Sequence, residues 1–306
     1  MAAELLAITG ATGFVGQAVL DLAGRAGIEV RALARRPQEA RAGVEWVQGD
    51  LADKRALARL VGKASVVLHI AGVVNAPDAA GFDEGNVWGT LNVVNAALDA
   101  GVPRFVHVSS LSAREPQLSA YGQSKLRGEK VVKASSMDWT VVRPPAVYGP
   151  RDTEMFELFK LARRGIVPLP PQGHLSIIHV NDLARLLLAL IPGGEDVTHK
   201  TFEPDDGTPG GWSHNAMARA IGMAVGKRVF ALNLPARALR IGAALDGRFR
   251  KGAAKLTPDR VGYMCHPDWR VSANAMPPPS LWTPQVETRM GLHATAAWYR
   301  EAGWLK

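Results

Sequence analysis

The sequence is poor in residues that cross-link a chain or bind a metal. Its 306 residues include one cysteine, Cys265. No disulfide can therefore form within the chain, and a reducing compartment is expected. The eight histidines show no HExxH or comparable ligand spacing, and one cysteine cannot make a cysteine cluster. We therefore predict no bound metal.

Long apolar runs are also missing. No apolar stretch reaches the roughly 18 residues that a membrane-spanning helix needs, and the first residues lead into a strand rather than a basic, apolar leader. The composition, 47% hydrophobic and 21% charged, is ordinary for a globular protein. We expect a cytoplasmic protein with one large domain or two unequal ones.

Nucleic-acid-binding motifs are absent as well, and basic residues are not interleaved with aromatic ones. We therefore predict no nucleic-acid partner. The net charge of +8 would attract another anionic partner, such as a membrane surface or a phosphorylated cofactor. A solvated, arginine-rich surface explains the same charge equally well.

What the sequence does have is a glycine-rich turn near its start. An apolar run at residues 5–8 predicts a buried strand, and apolar residues recur at helical spacing from Val15 onward. Gly10 permits a tight turn, Gly13 lets the backbone approach a pyrophosphate, and Gly16 lets the helix pack close to the sheet. The phosphates would rest at the positive end of that helix. The expected cofactor contacts here are Gly10, Thr12, Gly13, Phe14, Val15 and Gly16.

The second predicted strand, residues 29–34, ends in two arginines, Arg35 and Arg36. In dinucleotide-binding folds an acidic residue at this point bonds the ribose hydroxyls, whereas an arginine accommodates a 2′-phosphate. No acidic residue stands there, and guanidinium groups suit a phosphate. The pattern favours NADP(H) over NAD(H). NAD(H) remains the alternative if the arginines are simply solvated.

Later strand ends supply the other expected cofactor contacts, because the carboxyl ends of parallel strands share one edge of the sheet. Asp50, after the third strand, would bond the adenine amino group. Its alternative role is to cap the helix that begins near Asp53. The remaining expected contacts are Leu51, Ala71, Gly72, Ser109, Pro144 and Val147.

Tyr121 and Lys125 carry the most specific chemistry. Residues four apart share one helix face, so the phenol and the ammonium would point together into the crevice at the end of the fifth strand. A phenol has a pKa of about 10, and an adjacent cation lowers it. The pair can therefore exchange a proton with a carbonyl or alcohol oxygen as a hydride moves. A hydroxyl from Ser110 would hold the same oxygen.

Together these motifs resemble those of the extended short-chain dehydrogenase/reductases, of the NAD(P)-dependent epimerase/dehydratase type. The resemblance implies an α/β fold, a Rossmann-type doubly wound parallel sheet with a smaller C-terminal substrate-binding lobe. It implies that residues 1–150, with 178–190 returning, bind NAD(P), and that residues 151–306 mainly form the lobe. The matching motifs are TGATGFVG (9–16), GDL (49–51), NVxGT (86–90), VSS (108–110), YGQSK (121–125), RPPAVYGP (143–150) and IHVND (178–182).

The resemblance also implies roles for individual residues. Ser110, Tyr121 and Lys125 match the catalytic triad, and the last two also contact the cofactor. Asn86 matches an asparagine that supports a proton relay. Arg35 matches the 2′-phosphate arginine of NADP-dependent reductases that resemble dihydroflavonol reductase. The residue after Ser110 is apolar, whereas sugar 4,6-dehydratases have acidic residues there, which argues against dehydration.

Residues 235–255 form a strongly basic segment with Asp246 as the only acid. As a helix it would carry Leu234, Ala238, Ile241, Leu245 and Phe249 in one apolar stripe flanked by cations. Such a helix can lie on an anionic membrane or cover a lipid-like substrate. The alternative is that the stripe packs on the core of the lobe. The cations are Arg237, Arg240, Arg248, Arg250, Lys251 and Lys255.

We therefore expect an NADP(H)-dependent oxidoreductase that interconverts a ketone and a secondary alcohol on a bulky, lipid- or sterol-like small molecule. A nucleotide-sugar epimerase with bound NAD and a non-catalytic NADP(H)-binding regulator remain as alternatives. The resemblance also implies a homodimer formed through helices around 85–100 and 119–135. The expected location is the cytoplasm, with peripheral membrane contact through 235–255 if that helix meets a bilayer.

Overall fold

The computed structural model describes residues 5–250 and 256–305. The strands are β1 (Leu6–Thr9), β2 (Val30–Ala34), β3 (Val44–Gln48), β4 (Val66–His69), β5 (Arg104–Val108), β6 (Asp138–Val142), β7 (Ala146–Tyr148), β8 (Ile166–Leu169), β9 (His174–Leu175), β10 (Ile177–His179), β11 (Lys200–Phe202), β12 (Trp212–Ser213), β13 (Phe230–Asn233) and β14 (Asp268–Trp269).

Helices follow most of these strands. The α-helices are α1 (Phe14–Arg25), α2 (Lys54–Val61), α3 (Ala79–Asp83), α4 (Gly89–Asp99), α5 (Ala120–Lys133), α6 (Phe156–Arg163), α7 (Val180–Ala189), α8 (His214–Ala224), α9 (Ala236–Arg250), α10 (Pro258–Met264) and α11 (Thr288–Glu301). A π-helical turn, Glu84–Trp88, joins α3 to α4, and 3₁₀ turns span Leu111–Arg114, Pro116–Leu118 and Ala273–Ala275.

A seven-stranded parallel sheet forms the centre of the first part of the chain. Its order is β11-β6-β5-β4-β1-β2-β3. Strands β1 and β4 are buried at every position, as expected of a parallel sheet with both faces covered. The order reverses between β1 and β4, so the carboxyl ends of these strands open a crevice of the kind that binds ligands. The predicted Rossmann-type α/β fold is confirmed.

The chain divides into two compact units. The first contains residues 1–143, 183–203 and 277–282, and the second contains 144–182, 204–276 and 283–306. From the sequence we placed the boundary at residue 150 and expected residues 178–190 to return to the first unit. The third segment of that unit, 277–282, was not predicted. The assignment of one unit to the cofactor and the other to substrate stays a prediction.

Each unit has its own apolar core. In the first unit, Leu57 and Leu60 of α2 pack with Val93 of α4 against Val67 and Phe105 of the sheet. In the second unit, Tyr148, Phe159, Ile177, Met217 and Tyr299 belong to one buried cluster, and the Tyr299 hydroxyl donates to the carbonyl of Asp152 at 2.7 Å. The first of these cores supports the strand ends that face the crevice.

Most of the predicted stripe on α9 is exposed. Leu239 and Ala243 pack against Val261 of α10 and are joined by Leu234, whereas Ile241, Leu245 and Phe249 point to solvent. The interpretation that the stripe packs on the core is therefore wrong for these last three residues. Lys251, Lys255 and the side chain of Arg250 lie outside the described residues. The exposed fractions of the stripe residues are 64% for Ile241, 51% for Leu245 and 80% for Phe249.

In residues 5–250 and 256–305, no helix combines the length and hydropathy that crossing a bilayer would require.

Candidate active site

The turn between β1 and α1 needs its glycines. Gly10 has a φ of +75°, and a Cβ there would lie 2.5 Å from the amide nitrogen of Ala71. A Cβ at Gly16 would lie 2.2 Å from the Gly10 carbonyl oxygen. Gly16 thus packs α1 against the turn itself, rather than against the sheet as the sequence suggested. This contact brings the start of α1 beside the carboxyl ends of β1 and β4.

The start of α1 has the features of an anion site. Gly13 is the N-cap and supplies no side-chain cap, so the first helical amides are left for another acceptor. Thr12 and Gly13 are exposed, and Phe14 and Val15 are half-buried. These four residues form the segment that we predict contacts the cofactor phosphates.

Arg35 and Arg36 directly follow β2, the strand next to β1. Both are exposed, and within the described residues neither guanidinium forms an ion pair. Two uncompensated cations at this strand end suit a phosphate monoester. Their contact with a 2′-phosphate stays a prediction.

Asp50 shapes the turn before α2. Its Oδ1 accepts the amide protons of Ala52 and Asp53 at 2.8 and 3.1 Å. The α2 cap itself is Asp53, which accepts from Arg55 and Ala56, so the helix-capping alternative for Asp50 is wrong. Asp50 is exposed, and its contact with adenine stays a prediction. The cofactor contact of Leu51 also stays a prediction, and the Leu51 carbonyl accepts a hydrogen bond from Asn92 at 2.9 Å.

Lys125 is a buried cation on α5. Its Nζ donates to the Val108 carbonyl at 2.9 Å. A Cβ added at Gly72 would lie 3.4 Å from this nitrogen, so the absence of a side chain keeps this space open. Burial lowers the pKa of Lys125 to about 8, and the nearby Glu129 carboxylate opposes that shift. The ammonium therefore lies among the strand ends at which we predict cofactor binding.

Two glycines bring α5 against neighbouring backbone. A Cβ at Gly122 would lie 2.6 Å from the carbonyl oxygen of Ser112, and one at Gly128 would lie 2.5 Å from that of Asn86. Glycine in a helix costs about 1 kcal/mol relative to alanine, and here it permits two close contacts. These contacts hold the helical turn of Tyr121 beside the residues that follow Ser110.

Ser110 begins the first 3₁₀ turn. Its Oγ accepts from the Ser112 amide at 3.2 Å and from the Ser112 hydroxyl at 2.9 Å, which leaves its own proton for a further acceptor. Tyr121 is half-buried, with its ring centroid 5.9 Å from that of Phe82. Ser112, which the sequence reading missed, thus positions the Ser110 hydroxyl.

Asn86 is buried in the π-helical turn and connects two elements. Its Oδ1 accepts from the Val73 amide at 2.7 Å, and its Nδ2 donates to the Val73 carbonyl and to Ser124 Oγ, both at 2.9 Å. The side chain therefore fixes the loop after β4 relative to α5. A role in proton relay stays a prediction.

A buried hydrogen-bonded chain runs through His69. Thr90 donates to the Asn86 carbonyl at 2.8 Å, so it accepts from His69 Nε2 at 3.0 Å, and His69 Nδ1 accepts from Thr9 at 2.6 Å. Burial and the nearby Lys125 lower the pKa of His69 to about 3, so the imidazole is neutral. This chain connects the end of β1 to the π-helical turn.

His107 stacks on His69, with ring centroids 5.3 Å apart. It is buried, and neither of its ring nitrogens has a hydrogen-bond partner among the described residues. Burial, followed by the charge of Lys125, lowers its pKa. Two neutral imidazoles therefore lie side by side on β4 and β5.

A buried ion cluster lies one helical turn beyond Lys125. Glu129 accepts two hydrogen bonds from Arg143, each 2.8 Å, and one from the Ser109 hydroxyl at 2.6 Å. These partners hold the pKa of Glu129 below its usual value, although burial acts in the opposite direction. Because the Ser109 hydroxyl points to Glu129, the cofactor contact that we predict at Ser109 would use its carbonyl.

Pro144 and Val147 belong to the second unit, at and just after its first residue. Pro144 is buried, and Val147 is half-buried on β7, which pairs with β10. Their contact with a cofactor stays a prediction.

The first unit fits a dinucleotide. The turn at Gly10 and Gly13 would hold the pyrophosphate. The space left by the missing side chain at Gly72 would admit the nicotinamide end of the cofactor beside Lys125. A nicotinamide cofactor bound there supplies or accepts a hydride. We predict that the phenol of Tyr121, the ammonium of Lys125 and the hydroxyl of Ser110 handle the accompanying proton.

The chain resembles known proteins over most of its length. Residues 6–202 match the NAD dependent epimerase/dehydratase family. The chain is 35% identical to ceramide reductase of Caulobacter vibrioides, over 98% of this chain and 96% of that protein. It is 28% identical to UDP-glucose 4-epimerase of Vibrio cholerae, over 79% of this chain and 82% of that one.

A solved structure shares the fold. MoeE5 in complex with UDP-glucose and NAD superposes with a TM-score of 0.72 at 23% identity, covering 98% of this chain and 99% of that one. At this identity the likeness supports the architecture alone.

Proposed function

The chain belongs to the NAD-dependent epimerase/dehydratase family, and from this premise we propose that it reduces a ketone on a lipid-like substrate with NADPH. Family membership makes it an NAD(P)-dependent oxidoreductase. The observation that carries the proposal is the placement of Lys125, buried beside Gly72 and one helical turn from Tyr121.

The proposed proton chemistry uses three side chains. Tyr121 donates a proton to the ketone oxygen as hydride reaches the carbonyl carbon, and Ser110 donates a hydrogen bond to the same oxygen. Lys125 stabilises the phenolate that remains. The reverse reaction, oxidation of the alcohol, uses the same groups in the opposite order.

The full-length similarity to ceramide reductase supports a lipid ketone as substrate. The direct test is NADPH oxidation with a ceramide-type lipid whose secondary alcohol has been oxidised to the ketone, dispersed in detergent. We expect turnover that requires both lipid and NADPH. A Tyr121→Phe variant should bind NADPH normally and lose at least about 10²-fold in turnover, the scale of general acid catalysis. Normal turnover in that variant would contradict the assignment of Tyr121.

Cofactor preference is tested separately by titrating NADPH and NADH into wild type, Arg35→Ala and Arg25→Ala. Arg25 is an exposed arginine of the same unit, at the end of α1, and serves as the control. We expect wild type and Arg25→Ala to prefer NADPH and Arg35→Ala to lose that preference by roughly tenfold or more, in line with one charge-assisted contact. A preference for NADH that is unchanged in Arg35→Ala would overturn the 2′-phosphate assignment.

A nucleotide-sugar epimerase remains the second candidate, favoured by the similarity to UDP-glucose 4-epimerase. Such an enzyme retains its NAD and catalyses no net oxidation. Purified protein that carries NAD and does not consume added NADPH would favour it. A non-catalytic NADP(H)-binding regulator would bind cofactor with the same affinity in wild type and Tyr121→Phe and turn over no ketone.

Cytoplasmic location and a homodimer stay predictions. Sedimentation at several protein concentrations tests the second of these.

A further inference from the structure

The second unit exposes apolar side chains on two connected elements. In β8 and β13, Val167 and Leu169 are buried, whereas Ile166, Phe230 and Leu232 point to solvent. Phe230 lies opposite Ile166 in the strand register. Helix α9 begins three residues after β13 and exposes its stripe of Ile241, Leu245 and Phe249. Large exposed apolar areas on a protein surface mark interaction sites.

The exposed stripe is not needed to hold α9 in place. The opposite side of the helix, with Leu239 and Ala243, packs on α10. Leu234 joins this cluster, and its amide donates to the Leu169 carbonyl at 2.9 Å, so the helix is attached to the β8–β13 pair. The stripe is therefore presented by a helix that is anchored on its other face.

The same exposed face is cationic. Arg237 and Arg248 recur with Ile241 and Leu245 at intervals of three and four residues, so they share one side of the helix. Both arginines are exposed. The acidic residue of the helix, Asp246, instead accepts the amide proton of Leu256 at 3.0 Å. We define the basic apolar face as Arg237, Ile241, Leu245, Arg248 and Phe249.

We propose that the basic apolar face binds the surface of an anionic lipid bilayer. Apolar side chains among arginines are the composition of helices that lie in the headgroup region, where the apolar groups reach the acyl boundary and the cations contact lipid phosphates. A second copy of the chain fits less well, because a two-fold contact through this face would bring the same arginines together. Phe230 and Leu232 on β13 would add apolar contact.

Vesicle flotation of the full-length protein tests this surface without any turnover. Two vesicle types are used, phosphatidylcholine alone and phosphatidylcholine with about one third phosphatidylglycerol. We expect wild type to float with the anionic vesicles and to bind neutral ones at least about tenfold more weakly, since each basic residue near an anionic surface contributes about 1 kcal/mol. Raising the salt should release the protein.

Two variants divide the face into its apolar and cationic parts. Ile241→Ser/Leu245→Ser/Phe249→Ser removes the exposed part of the apolar stripe, and Arg237→Glu/Arg248→Glu reverses the charge. Each should weaken binding to anionic vesicles at least about tenfold. Met290→Ser and Arg219→Glu alter an exposed apolar residue of α11 and an exposed cation of α8, and they should bind as wild type does. Unchanged near-ultraviolet circular dichroism would show that the variants are folded.

The outcomes separate this proposal from its rivals and from the proposed function. Equal binding to neutral and anionic vesicles, or binding that both face variants retain, would overturn the bilayer assignment. So would a concentration-dependent dimer that the face variants abolish. Binding to a bilayer does not depend on the proposed function, whereas access to a lipid substrate through this binding would rest on it. Failure to float with normal turnover on a detergent-dispersed ketone would reject the surface alone, whereas flotation without turnover would reject the function alone.

Discussion

At the scale of single residues, the pKa of Lys125 differs between the folded and the unfolded chain. Burial lowers its pKa to about 8 from the ordinary 10.5. Between these values the unfolded chain keeps the proton and the folded chain has lost it, so the free energy of unfolding rises with pH. We expect wild type to gain stability relative to Lys125→Met as the pH increases from 8 to 10.5. Urea unfolding at several pH values in that window measures the difference.

The comparison with Lys125→Met removes titrations that both proteins share. Below pH 8, Lys125 is protonated in both states, so the difference between wild type and variant should not change with pH. A difference that stays constant up to about pH 10 and then falls as the pH rises above 10.5 would mean that the folded state favours the charged ammonium.

Glu129 lets the electrostatics of the same helix be tested at a second position. The Glu129→Gln variant removes the closer carboxylate partner of Arg143 and leaves the 3.4 Å contact of Arg143 with Glu203. The loss should therefore be at or below the ~3–5 kcal/mol of a fully broken buried ion pair. Because the Glu129 carboxylate raises the pKa of Lys125, its removal should also bring the Lys125 titration below pH 8. Urea unfolding at different pH values reports both effects.

Ser109→Ala is the matched control for Glu129→Gln. It deletes one hydrogen bond to the carboxylate and leaves the charges in place. We expect a loss of about 1 kcal/mol and no change in the pH at which Lys125 titrates. An equal effect of the two variants would show that the carboxylate charge is unimportant for Lys125.

At the scale of elements, α1 contains two glycines with opposite expectations. A Cβ at Gly16 would lie 2.2 Å from a carbonyl oxygen, whereas one at Gly24 would have no atom within 4 Å. Gly16→Ala should therefore destabilise the protein and weaken NADPH binding, because the turn must shift. Gly24→Ala should stabilise it by about 0.5–1 kcal/mol, because alanine loses less backbone freedom on folding. Thermal unfolding and NADPH titration of both variants test this pair.

The elements that the sequence predicted well are those specified by local patterns. The strand, glycine turn and helix around residues 5–25 follow from apolar spacing and backbone freedom, and Tyr121 and Lys125 lie on one helix, α5, as their spacing indicated. The helix expected over 85–100 is interrupted by the π-helical turn at Glu84–Trp88. In that turn Asn86 forms hydrogen bonds with Val73 and Ser124. These contacts join residues far apart in the sequence, so a local pattern does not predict them.

The features that the sequence did not predict join distant residues. Ser109 and Glu129 are twenty positions apart, and His69 and Thr90 are twenty-one, so their contacts depend on how the strands and helices are arranged. Gly122 and Gly128 were the available signal, since glycine inside a helix indicates a close approach. The short strands of the second unit, such as β9 and β12 with two residues each, are too brief for a periodic pattern.

At the scale of the whole molecule, the chain passes between the two units five times. Unfolding of either unit would therefore release the ends of segments that belong to the other, and we expect the two units to unfold together. A ligand of the first unit should then protect the core of the second. NADPH at about 100 times its dissociation constant would add about 2.7 kcal/mol to the free energy of unfolding.

A single buried thiol in the second unit measures this coupling. In Cys265→Ser/Ala296→Cys the only cysteine replaces a fully buried alanine of α11, and it reacts with a thiol reagent once the second unit opens. If the units unfold together, that NADPH concentration should slow labelling about 100-fold. Adding Arg35→Ala should reduce the protection to about tenfold at the same NADPH concentration, because a tenfold weaker affinity leaves the cofactor at about 10 times its dissociation constant. A labelling rate that NADPH does not change, in a protein shown by titration to bind NADPH, would mean that the second unit opens independently of the first.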